Sequence, residues 1–205
     1  RRLDRLNELK SELESQYQVD VLTLSYDLSR PETPQQIYDA LADRGIEVDY
    51  LINNAGLGGQ GSFAERPIEE EINLISVDII ALTRLTKLFL PDFLRRGTGR
   101  ILNVSSTASL LPGPYQATYF AAKAYVTSLS DALWMETRGT GVTVTSVLPG
   151  GLSTEFGTAA GLEGTGLAQA LTQSPYKVAL DSYRAMLRGK RRIISGVTWS
   201  QRLAL

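Results

Sequence analysis

Two residue types are missing altogether from this 205-residue chain, cysteine and histidine. Without cysteine there is no thiolate nucleophile, no disulfide and no cysteine-ligated zinc. Without histidine there is no Ser-His-Asp triad, no imidazole metal ligand and no side chain that titrates near neutral pH unaided. Any catalysis falls to Tyr, Lys, Ser, carboxylates or a bound cofactor, and no metal site is expected. Long apolar runs are lacking too. Stretches such as Leu51-Ile52 and Ile79-Ile80-Ala81-Leu82 are far below the roughly 20 residues that span a bilayer. Charge of one sign does not dominate: 21 basic and 22 acidic residues leave a net charge of −1. Neither nucleic acid nor a membrane is therefore favoured as a partner over a small molecule. Arg1-Arg2 begins a charged helical pattern with no apolar signal segment behind it, so the expectation is a soluble, cytoplasmic protein. With 43% hydrophobic and 21% charged residues, the chain has the balance of a single domain over residues 1–205.

What is present alternates between strand and helix patterns. Leu3, Leu6, Leu9 and Leu13 recur at helical spacing among charges, the mark of a surface helix packed on one side. Residues 19–24 alternate as a strand does and end at Asp27-Leu28-Ser29. Pro31 and Pro34 then punctuate a loop before a helix over 35–44. Residues 48–52 predict a second strand, running into Asn53-Asn54-Ala55-Gly56 and a glycine-rich loop over 57–61. A long amphipathic helix follows over 68–96, then a strand over 100–104 ending at Ser105-Ser106. A helix over 116–137 leads to a strand over 142–148 that Pro149-Gly150-Gly151 closes. Residues 152–173, rich in Gly, Thr and Ala, read as a mobile segment over a site. A helix over 175–188 and a short strand over 192–195 complete the chain. This order calls for a doubly wound parallel sheet, a Rossmann-like α/β fold that binds its ligand at the carboxyl ends of the strands. Asp27, Asn53 to Gly56, Ser105-Ser106 and Pro149-Gly150 are expected to converge there.

Tyr119 and Lys123, four residues apart, share one helix face, which sets an ammonium near a phenol. A phenol is a poor base at neutral pH, but two unit charges about 4 Å apart interact by roughly 4 kcal/mol at an effective dielectric of 20. A Tyr tuned in this way can protonate a developing alkoxide or deprotonate an alcohol, provided a cofactor carries the hydride. Ser106 would hold the substrate oxygen. A lone Tyr-x-x-x-Lys is more often a surface pair, and a purely structural α/β domain is distinguished by whether Lys123 points to solvent. Gly56-Leu57-Gly58-Gly59-Gln60-Gly61 fits the dinucleotide fingerprint, but Ser62 to Pro67 intervenes before any helix. Its glycines are read instead as letting the backbone pass close to cofactor or substrate.

In combination, Asn53-Asn54-Ala55-Gly56, Ser106, Tyr119-x-x-x-Lys123 and Pro149-Gly150 followed by Thr154 resemble the classical short-chain dehydrogenase/reductase family. The resemblance covers essentially the whole chain. It implies Tyr119 as acid/base, Lys123 as its tuner and a ligand of the nicotinamide ribose, and Ser106 as the group that orients the substrate oxygen. It implies Asp27 and Leu28 beside the adenine, and Asn53, Ala55 and Gly56 beside the adenosine ribose. Pro149 and Gly150 join the cofactor segment, with Thr154 at the nicotinamide carboxamide. Two departures stand out. Where the family has an Asn in the long helix, linked through water to the catalytic Lys, this chain has Asp78, which predicts weaker or pH-shifted activity. The family's first strand, glycine-rich pyrophosphate turn, first helix and second strand would also precede Arg1, so the chain is expected to lack two strands at the centre of a 3-2-1-4-5-6 sheet. Arg1 and Arg2 fall where NADP-preferring relatives keep basic residues, so NADP is expected over NAD. The apolar excess on helix 68–96, and at Tyr125, Leu129, Leu133 and Trp134, predicts a homodimer or homotetramer. The alternative is a catalytically silent member that binds nucleotide or a protein partner.

Overall fold

The computed structural model describes residues 2–162 and 174–197. Four strands, β1 (Tyr50–Asn53), β2 (Gly99–Val104), β3 (Val142–Pro149) and β4 (Arg192–Ser195), form one sheet in that spatial order, every neighbouring pair parallel. The register places Asn53 beside Asn103, and Asn103 beside Ser146. Parallel neighbours need crossovers, and helices supply them on both faces, as the alternating pattern requires. Helices α1 (Leu3–Tyr17) and α2 (Thr33–Ala42) precede the sheet. Between β1 and β2 run α3 (Ile68–Ile75), a π-helical segment (Ser76–Ala81) and α4 (Leu82–Arg96). A single 3-10 turn (Thr107–Leu110) and α5 (Ala117–Glu136) join β2 to β3, and α6 (Glu155–Ala159) and α7 (Pro175–Leu187) lie before β4.

Side chains alternate across β2, which divides the core in two. Ile101 faces Leu85, Phe89 and Phe93 of α4, with Ile37, Tyr38 and Leu41 of α2 packed over them. Leu102 faces Val178 and Met186 of α7 and Val147 of β3. Burying each such side chain contributes about 1.5–3 kcal/mol.

Three expectations need correction. Residues 19–24 pair with no strand, because β1, the edge of the sheet on that side, pairs only with β2 among the described residues. A strand pattern without a ladder partner is only an alternating sequence. The Val21 amide donates instead to Glu14 Oε1 at 3.0 Å, tying this stretch to α1. The helix over 35–44 starts two residues early, since Pro34 occupies its first turn, where its missing N–H costs nothing. The long helix is not uniform: its middle is wound as a π-segment, which buries Val77, Asp78 and Ala81. No residue of α1 is fully buried; Leu6 and Leu13 are half-buried while Leu3 and Leu9 stay exposed. Among the described residues, no helix is long and apolar enough to cross a membrane.

Candidate active site

Parallel strands bring Asn53, Val104 and Pro149 to one edge of the sheet. Just past β2, Ser106 caps the 3-10 turn, its Oγ accepting from the Ala108 amide at 3.1 Å. That bond uses a lone pair and leaves the hydroxyl proton free to donate. The turn packs against α5, the helix of Tyr119 and Lys123.

Lys123 does not point to solvent. It is 5% exposed, with Nζ 2.9 Å from Asp78 Oδ2 and 3.3 Å from the Val104 carbonyl that it donates to. The same Nζ lies 5.6 Å from the centre of the Tyr119 ring. Of these neighbours the Asp78 carboxylate is the nearest. Two of the three ammonium protons are thereby engaged and one remains. Asp78, 1% exposed, also accepts from the Leu57 amide through Oδ1 at 2.6 Å. Burial pushes the Asp78 carboxyl above its ordinary value and prevails over the opposing pull of Lys123 and the Leu57 amide. The backbone at Gly56 passes close to this pair: a Cβ there would sit 3.1 Å from Lys123 Nζ and 3.2 Å from Asp78 Oδ2.

The remaining sequence candidates fall in different surroundings. Asn53 is buried, its amide donating to Thr86 Oγ1 at 3.1 Å and to Asn103 Oδ1 at 2.8 Å, so this side chain ties β1 to α4 and β2. Asn54 and Ala55, by contrast, are exposed at the strand end. Asp27 makes a turn, its Oδ1 accepting from the amide and hydroxyl of Ser29, and Leu28 packs against the α4 side of the core. Gly150 donates to the Ser195 carbonyl at 2.9 Å next to the buried Pro149. Thr154 is exposed and caps α6, its Oγ1 accepting from the Phe156 amide at 3.3 Å. Arg2 lies 3.0 Å and Arg5 2.6 Å from Glu155, so the basic start of the chain meets the residue after Thr154. Arg1 and residues 163–173 lie outside the described residues.

The glycine-rich loop is no fingerprint turn, as the spacing of its glycines before Pro67 led one to expect. No helix opens at Gly61; α3 starts at Ile68 behind Pro67. A Cβ on Gly58 would come within 2.7 Å of Ala160 Cβ and 2.8 Å of Phe156 Cζ, and one on Gly59 would strike the Arg66 guanidinium. These glycines make room for protein side chains. A cavity with about 10 Å³ of free space lies beside Tyr119, lined also by Phe63, Arg66, Tyr115 and Gln116, and reaches neither Lys123 nor Ser106.

A buried polar seam escaped the sequence reading. Asn103 donates to Ser130 Oγ at 2.9 Å, and Ser105 Oγ, 2.7 Å from Thr127 Oγ1, donates to the Lys123 carbonyl at 2.9 Å. The end of β2 thus holds Lys123 twice, by its carbonyl through Ser105 and by its ammonium through Val104. Polar Asn103 inside the apolar run Ile101-Leu102-Asn103-Val104 was the available signal, since a buried amide needs partners. Phe156, its ring 5.6 Å from that of Tyr119, was hidden in a weakly periodic segment.

Comparison with known proteins identifies the family to which this fold belongs. Residues 1–182 match the profile of the short chain dehydrogenase family. The human very-long-chain 3-oxoacyl-CoA reductase is 33% identical over 150 residues, 71% of this chain and 47% of that protein. An NADP-dependent 3-hydroxy acid dehydrogenase of Schizosaccharomyces pombe is 32% identical over 157 residues, 76% of this chain and 61% of that one. Among solved structures, a short-chain dehydrogenase from Sphingobium yanoikuyae in complex with NADPH superposes with a TM-score of 0.88 at 30% identity, covering 100% of this chain and 78% of the other. The chain thus spans about half the length of the human reductase.

Proposed function

Since the chain belongs to the short-chain dehydrogenase/reductase family, we propose that it forms a single dinucleotide-binding and catalytic domain of an oxidoreductase acting on a small carbonyl or alcohol with NADP(H). The observation that carries this reading is the buried Lys123 ammonium, 5.6 Å from the ring of Tyr119 and 2.9 Å from Asp78. Desolvating a cation beside a phenol is a cost that a purely structural helix has no reason to bear.

The residues suit a dinucleotide. Asn54 and Ala55 leave the end of β1 open, Gly56 brings the backbone against Lys123, and Thr154 and Lys123 each keep a proton to donate. Lys123, Thr154 and the backbone of Ala55 and Gly56 would hold the cofactor, with Asp27, Leu28, Pro149 and Gly150 flanking it. When bound, a nicotinamide supplies the hydride to the carbonyl carbon or takes it from the alcohol. Ser106 donates its hydroxyl proton to the substrate oxygen and so fixes its position. Tyr119 gives its phenolic proton to that oxygen in reduction and takes it back in oxidation. Lys123 stabilises the phenolate, and Asp78 opposes it by partly neutralising Lys123. NADP(H) over NAD(H) rests on Arg2 and Arg5 and on the NADPH complex of the Sphingobium relative; Glu155, which holds both arginines, competes with a 2′-phosphate for them.

The direct test is nicotinamide fluorescence with the full-length protein, titrating NADPH and NADH into wild type and Lys123→Ala. Saturable NADPH binding, tighter than NADH and weakened at least tenfold by Lys123→Ala, is expected. No binding of either cofactor leaves the fold without this chemistry. The same protein should be a homodimer or homotetramer, because Ile68, Ile72, Ile80 and Tyr125 leave apolar surface exposed. A monomer by light scattering at micromolar concentration removes that part.

A further inference from the structure

Large apolar side chains gather where Tyr119 meets solvent. Phe63 is 65% exposed and Tyr115 63% exposed, and both line the cavity that Tyr119 lines. Single exposed aromatics are ordinary, but two on the rim of one cavity that Tyr119 also lines form a surface that gains by being covered. The backbone holds them together: the Gly61 amide donates to the Tyr115 carbonyl at 2.9 Å, and Tyr115 adopts φ 63°, a left-handed conformation uncommon for a residue of its size. Phe156, seated where Gly58 lacks a side chain, adds a third ring beside Tyr119.

Charge in the same cavity is already spent. Arg66 pairs through Nε with Glu71, through Nη2 with Glu70 at 3.1 Å, and through Nη1 with the Gln60 carbonyl at 3.4 Å. Two carboxylates to one guanidinium leave, among the described residues lining this cavity, no free cation to receive a substrate carboxylate or phosphate.

From this we propose that the substrate carries its carbonyl on an uncharged apolar arm, which lies across Phe63 and Tyr115 while the carbonyl reaches Tyr119. The inference rests on the reductase reading above and names its substrate class. The platform is open on one side, so each methylene is half desolvated; full burial of a methylene is worth about 0.8 kcal/mol, and half of that is about twofold in kcat/KM.

The experiment is NADPH-dependent reduction of linear methyl ketones from butanone to decanone by the full-length protein. Beside the ketones run an ω-carboxylate analogue of octanone and its methyl ester. Expected are a rise of about twofold in kcat/KM per methylene, a preference for the ester over the acid, and a flattened chain-length slope in Phe63→Ala. Tyr115→Asn, whose side chain tolerates the left-handed backbone, should flatten it too while butanone is still reduced. Equal kcat/KM along the series, or preference for the carboxylate, overturns the apolar arm and leaves the reductase standing. NADPH binding with no reduction of any ketone overturns both.

Discussion

Two acidic residues in this chain sit on basic partners at nearly the same distance and mean opposite things. Asp78 lies 2.9 Å from Lys123 with both side chains sealed, 0% and 7% exposed. Glu155 lies 2.6 Å from Arg5 and 3.0 Å from Arg2 with all three more than half exposed. Distance alone would rank them equal, but water decides otherwise. Around Glu155, solvent screens the attraction and the long side chains give up rotamer freedom to meet. Around Lys123, no solvent replaces a lost partner, so each charge depends on the other. The lesson is that burial, and not separation, marks the pair that bears on chemistry.

The largest break in the comparison is Lys123→Ala, which strands a buried carboxylate. A loss of about 3–5 kcal/mol in unfolding free energy is expected from urea denaturation, together with loss of carbonyl reduction. An unchanged urea midpoint would mean that Asp78 finds water, contrary to its burial.

Asp78→Asn is the sharper change, because the amide oxygen still accepts from Leu57 while the negative charge is gone. Freed of its counter-charge, Lys123 acts with its full positive charge on the neighbouring Tyr119, so alcohol oxidation should change by up to about tenfold. A pH-rate profile that superposes on wild type sinks this role for Asp78. Stability should diverge as well. Burial holds the folded Asp78 carboxyl above its unfolded value, so between about pH 4 and that raised value the folded chain binds more protons than the unfolded one. Wild type should therefore lose stability relative to Asp78→Asn as pH climbs through that raised value. Glu155 has the opposite sign. The hydrogen bonds and charges of Arg5 and Arg2 hold it below its ordinary value, so what it contributes is present above that value and lost as pH falls through the lowered one.

Gly56→Ala should act less strongly. Its Cβ meets Nζ and Oδ2 at 3.1 and 3.2 Å, close enough to push the pair by a few tenths of an ångström. A cost near ~1 kcal/mol in stability and a loss of a few-fold in kcat are expected; a wild-type kcat would show that the pair tolerates displacement. Smallest is Glu155→Gln, for which the urea midpoint should fall only slightly at low salt and not at all at high salt. A clear destabilisation that salt abolishes would promote the exposed pair to a structural one.

Much of this was legible beforehand, for reasons visible in particular residues. The strand over 142–148, with polar residues only at Thr143, Thr145 and Ser146, emerged one residue longer as β3, and Tyr119 and Lys123 were correctly set on one helix face. Such features are local, fixed by the spacing of side chains along a single element. Residues 19–24 misled because strand pairing depends on what lies alongside. The inward turn of the Asn53 side chain was not legible, because it is the register with Asn103 that carries it into the core. The polar seam of Asn103, Ser105, Thr127 and Ser130 joins residues up to 27 positions apart, a pairing no periodicity contains.

By itself, then, the sequence determined the alternation of strands and helices from residue 48 onward, the absence of imidazole and thiol chemistry, and the placing of Tyr119 and Lys123 on one helix, because these follow from composition and near-neighbour spacing. Only the tertiary structure decided that Lys123 and Asp78 meet at 2.9 Å with both side chains sealed, that Gly58 seats Phe156 beside Tyr119, and that Arg66 is spent on two glutamates. Each of these depends on which distant side chains share one desolvated space, and desolvation is a property of packing that no stretch of sequence carries alone.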